Sequence, residues 1–72
     1  MAVSVEAAKR ELSGALIDIF KFKAAPLLVK VESCKTMLEL RQVIFVVMDD
    51  TRIGDPDKAI MLLAAWESLG ER

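Results

Sequence analysis

The tripeptide Gly54-Asp55-Pro56 limits the architecture more than any other part of this chain, because it reads as the end of one helix and the start of the next with almost nothing between. Glycine suits the left-handed residue just past a helix, and Asp55 suits the N-cap of a new one. Proline suits the first helical position, where its missing N–H is not needed. Helices joined so tightly normally lie antiparallel, so residues 36–53 and 56–69 are expected to form an αα-hairpin.

Thr36 and Glu39 have the T-x-x-E spacing of a capping box and start the first of these helices at Met37. Val43 to Met48 has the propensity of a buried strand, but Arg41-Gln42 offers no Gly, Pro or Asn at which a helix would give way to one, so the helix is expected to continue to Ile53. On a helical wheel Met37, Leu40, Val43, Ile44, Val47 and Met48 face the core. Leu38, Phe45, Val46 and Ile53 form a second stripe among Glu39, Arg41, Asp49 and Arg52. The last helix repeats the pattern, with Ala59, Leu62, Leu63, Trp66 and Leu69 inward and Ile60, Met61, Ala64 and Ala65 on the other side. Mixed apolar and charged faces are the composition of a protein contact rather than an interior. Leu38, Phe45, Val46, Ile53, Ile60, Met61, Ala64 and Ala65 are therefore the candidate protein interface.

In the first half, Ser4 is a fitting N-cap for a helix reaching Phe22, with Val5, Ala8, Leu12, Ala15, Leu16, Ile19 and Phe20 on one stripe and Ile17 pointing away from it. Gly14 in its middle costs about 1 kcal/mol relative to Ala unless another backbone packs closely there. Pro26 disfavours helical geometry at Ala25 and opens a new segment from Leu27 to about Cys34. Leu27, Val29 and Val31 alternate with Leu28, Lys30 and Glu32 as a strand would, so helix is the expectation there and strand the alternative.

These elements give an all-α chain, a bundle of three or four helices forming one domain over residues 1–72. Its composition is 54% hydrophobic, above the usual proportion, in a domain size that has the least interior in which to hide apolar side chains. The surplus is expected to face a partner, a membrane or an aggregate. Charge is polarised: residues 1–36 carry six Lys/Arg against four Asp/Glu, and residues 37–72 carry four against seven, a distribution read first as two differently charged solvated faces, with antiparallel or head-to-tail self-association as the alternative.

With no histidine and no tyrosine, neither a Ser–His nor a Cys–His nucleophile pair can be assembled, and the usual zinc ligand sets are missing. A calcium loop begun at Asp49 would place Gly54 correctly, but Thr51 and Ile53 stand at ligand positions and Ile60 where a bidentate Glu is required. No enzyme activity, metal or cofactor is expected. The lone Cys34 reads as a small buried hydrophobe, with a reactive thiol between Lys30 and Lys35 as the sharper alternative. One cysteine allows no internal disulfide, and neither a signal peptide nor a membrane-length apolar run is visible, so the expected location is cytoplasmic.

Phe20-Lys21-Phe22-Lys23, followed by Lys30 and Lys35, mixes aromatics with bases in a stretch free of acids from Ile19 to Val31, which nucleic acid or an anionic surface could use. The run Ser33-Cys34-Lys35-Thr36, with Leu40, Val43-Ile44 and Ala64-Ala65, loosely resembles the Hha/YmoA group of small bacterial regulators that bind nucleoid proteins. That likeness spans residues 27–69 with a gap in the turn, omits the first helix and assigns no site residue. The expected function is a non-enzymatic protein–protein interaction module, either a homo-oligomer or a small adaptor or chaperone subunit. The alternative is a small dimeric regulator that binds nucleic acid or a nucleoid protein, and a carrier of small molecules or lipids comes third.

Overall fold

The computed structural model of the chain describes residues 4–70. It comprises α1 (Val5–Phe20), a 3₁₀ turn (Lys21–Ala24), α2 (Ala25–Glu32), α3 (Met37–Gly54) and α4 (Pro56–Gly70), with no strand among the described residues. The chain is therefore all-α. The ends of the expected domain, residues 1–3 and 71–72, lie outside the described residues.

Caps set most of the boundaries. The Ser4 hydroxyl accepts from the Ala7 amide at 3.1 Å and starts α1. At α3 the Thr36 hydroxyl accepts from the Glu39 amide at 3.1 Å, but the Glu39 carboxylate returns to the Lys35 amide at 3.2 Å, one residue earlier than a simple capping box requires. Asp55 alone joins α3 to α4, its carboxylate accepting from the Lys58 amide at 3.4 Å and its carbonyl from the Ala59 amide at 3.3 Å.

Two expected breaks take a different form. Gly54 is the last residue of α3 and has no positive φ; the chain leaves the helix at Asp55, which has φ −150° and ψ 85°. The positive φ falls instead on Lys21, at φ 57° and ψ −128°, where α1 ends two residues before the expected Phe22. Ala25 is helical despite the following proline, because Pro26 stands in the first turn of α2, where its missing N–H would have had no partner. The segment with two competing periods is thus a helix.

Each of α1 and α3 packs against both α2 and α4, so the four helices form a ring with α2 and α4 at opposite corners. Leu12, Leu16, Leu40, Ile44, Leu62 and Val31 are fully buried at its centre. The Cα radius of gyration is 11.2 Å, close to the ~11 Å of a collapsed domain of this length. Apolar side chains left outside are therefore not the result of loosely packed helices.

Candidate interaction surface

The wheel assignments of α1 hold for Ala8, Leu12, Leu16 and Ile19, which are buried. Lys9 is the addition that spacing did not reveal. Its ammonium lies within the bundle and donates to the carbonyls of Glu32 at 2.9 Å and Cys34 at 3.0 Å. Those carbonyls lie at and just beyond the C-terminus of α2, where helix carbonyls lack intrahelical partners and the dipole favours a cation. Lys9 therefore fastens α1 to the far end of α2, which has only Val31 fully inside the core.

Cys34 is buried beside this contact, its thiol 3.3 Å from the Lys30 carbonyl. Burial pushes the thiol pKa up, the Glu39 carboxylate adds to the rise and the Lys9 ammonium opposes it. The thiol is thereby held in its unreactive form.

The eight candidate interface residues divide. Leu38, Val46, Ile53, Ile60, Met61 and Ala64 are exposed. Phe45 and Ala65 are corrections: both are half-buried and pack against the core. Phe45 stands beside the inward face of α3, and its ring is long enough to reach sideways to α4, where it meets Trp66 in an edge-on contact. Its outer side is covered by the Arg41 guanidinium, 4.7 Å from the ring centroid. Two inward assignments on α4 change as well. Leu63, about 100° round the helix from Leu62, is exposed, and Trp66 is half-buried rather than enclosed, meeting Phe45 of α3.

Exposed apolar residues occur on all four helices and the turn, Ile17 of α1 among them, and two sides gather several of them. On α4, Asp57, Ile60, Met61, Ala64 and Glu67 are all exposed at helical spacing and share the outward face. Lys58 is half-buried instead, 5.9 Å from the Phe20 ring centroid and 3.8 Å from the Asp55 carboxylate. The other side centres on an open apolar groove of about 180 Å³ between α2 and α3, lined by Lys30, Gln42, Val43, Val46 and Val47. Near it on the chain, Val29 is 69% exposed and Phe22, on the strained turn between Lys21 and Lys23, is 87% exposed. Val29 is an exposed apolar residue that the sequence reading does not include in the interface. Phe22 had been placed in the aromatic and basic run but not on an apolar face.

The acids near the α3–α4 join serve the helices. Asp49 pairs with Arg52 at 2.9 Å, Asp55 caps α4, and among the described residues there is no group of three or more acids or cysteines placed to hold a metal ion. No described helix is long and apolar enough to cross a membrane. Compared with known proteins, the chain matches no protein-family model, no curated protein and no solved structure.

Proposed function

We infer that this chain is a non-enzymatic protein–protein interaction module, acting as a homo-oligomer or as a small adaptor subunit of a larger assembly. One observation carries the reading: the bundle is fully collapsed, yet Ile60 and Met61 stand 65% and 52% exposed side by side on α4, and Ile53 at the end of α3 is 89% exposed. Large apolar side chains gathered on the outside of a closed core mark surfaces that a partner covers. Ile60→Glu together with Met61→Lys tests it. Assembly measured by sedimentation should weaken while the helical circular dichroism stays intact; unchanged assembly would remove this face from the interface.

A regulator that binds nucleic acid is the second reading, favoured by Phe22 projecting from a turn whose flanking Lys21 and Lys23 are exposed. Salt-sensitive retention on heparin would support it, and an oligomer indifferent to salt with no retention would count against it.

A further inference from the structure

α1, the 3₁₀ turn and α2 follow one another with no residue between them, so the chain from Val5 to Glu32 is helical throughout except for the reversal at Lys21. Its neighbours already have the torsions of a straight helix: Phe20 has φ −101° and ψ −10°, Ala24 φ −71° and ψ −22°, and Ala25 φ −51° and ψ −51°. Pro26 follows these last two helical residues, and its ring is already accommodated in the first turn of α2. A change of Lys21 from φ 57° and ψ −128° to the right-handed helical region therefore joins α1 and α2 into one helix. The apolar pattern has the phase of that joined helix. Ser13, Leu16, Phe20, Ala24, Leu27 and Val31 follow at spacings of three and four straight through the turn, and all six are buried or half-buried. Lys9, bonded to the carbonyls of Glu32 and Cys34, sets α1 antiparallel to α2 in a register centred near Lys21. Two straight copies paired in the same register would meet symmetrically about that residue.

We propose that two copies of this chain exchange α1, with Lys21 as the hinge. In the exchanged pair α1 of each copy leaves its own α2 and α4 and takes the same place in the other, beside the partner's α2. The contacts that α1 makes with α2 and α4, the Lys9 hydrogen bonds included, are remade between the copies, so no further surface has to be complementary. What the pair loses is the freedom of two separate molecules, which concentration offsets. What it gains is relief of the positive φ at two lysines, and a short hinge under strain is the setting in which exchange is favoured. The arrangement is two-fold symmetric and closed, so it stops at a dimer. It goes beyond the interaction-module reading and uses neither the outward face of α4 nor the groove.

The test is made on the full-length chain refolded from denaturant at millimolar concentration, where sedimentation should show a dimer. Lys21→Gly, which is at ease in the turn, should weaken that dimer by about tenfold or more, and Lys21→Ile, whose β-branch tolerates positive φ least, should strengthen it by a similar factor. Spin labels at Arg10→Cys and Lys30→Cys in a Cys34→Ala background read the hinge directly when labelled chains are diluted into unlabelled protein, so that only distances within one chain register. In the monomer the two positions should be separated by little more than the helix spacing of about 10 Å. In the exchanged dimer they lie along one helix and should be about 30 Å apart. A wild type that stays monomeric after millimolar refolding, a dimer whose labels remain close, or Lys21→Gly dimerising as the wild type does would each overturn the exchange. Where the labelled chain does not refold, the two Lys21 variants decide by sedimentation alone. Ile60→Glu with Met61→Lys should leave the exchanged dimer intact; a dimer with close labels that this variant dissolves would overturn exchange while supporting docking through α4.

Discussion

Phe45 of α3 and Trp66 of α4 meet edge to face, their ring centroids 5.9 Å apart and their planes inclined at 76°. The two residues stand almost equally far from Asp55, the single residue joining their helices, so the contact fixes how α4 lies alongside α3 well away from the join. The edge of one ring carries positive charge density toward the negative face of the other, which adds to the area that both bury.

Trp66→Ala should therefore destabilise the fold by about 3 kcal/mol, the lower end of the range for truncating an interior aromatic, because Trp66 is only half-buried. A double-mutant cycle with Phe45→Leu and Trp66→Leu should leave a coupling of about 0.5–1.5 kcal/mol. Urea denaturation supplies both values. A coupling of zero would mean that the rings are neighbours without an energetic link.

Two positions on α1 are occupied by residues less stable than alanine. A Cβ added to Gly14 would meet no atom within 4 Å, so no close backbone approach demands glycine there. The Ser13 hydroxyl is buried without a hydrogen-bond partner. Gly14→Ala and Ser13→Ala should each raise stability by about 1 kcal/mol, the first through helix propensity and the second by removing an unsatisfied polar group. Thermal melts would register each change, and a lowered midpoint for Gly14→Ala would reveal packing against this face in the protein's assembled form.

Lys21 has φ 57° and ψ −128°, a conformation that glycine adopts freely and lysine does not. Lys21→Gly should relieve strain and stabilise the monomer by about 1 kcal/mol. Calorimetry is the check: a loss of stability would mean that the lysine side chain, rather than the turn, matters at this position.

Burial raises the Cys34 thiol pKa above its ordinary value of 9.0. The unfolded chain releases this proton at lower pH than the folded one, so the contribution to stability is present below the unfolded value and is lost as pH rises toward the folded value. Denaturation curves from pH 7 to 10 should accordingly show a fall in stability at the alkaline end that Cys34→Ala reduces. In the folded protein, thiol reagents should react at the rate at which the site opens; rapid reaction at pH 7 would contradict the buried assignment.

The helices were legible because caps and proline are local signals: Ser4, Thr36 and Asp55 act where their spacing places them. The interior of α1 followed from its single apolar stripe. Where a helix has apolar residues on several sides, a wheel alone does not say how far a side chain reaches, so Phe45 was placed outside and Leu63 inside, the reverse of their packing. Lys9 was illegible for another reason. Its acceptors are backbone carbonyls of Glu32 and Cys34, 23 and 25 residues further on, and a carbonyl leaves no trace in the identity of its residue. The exposed candidates of α3 and α4 were readable from spacing, whereas their division between two sides required the order in which the helices meet.

The Lys9 contact also makes this amine a built-in recorder of opening. Lys21, Lys23, Lys30 and Lys35 all stand in solvent and would be acylated first by an amine-reactive reagent, whereas the Lys9 amine is withheld for as long as α1 remains against the end of α2. Peptide mass spectrometry of a timed labelling series would then read the detachment of one helix from the lag of a single lysine, with no probe introduced into the chain.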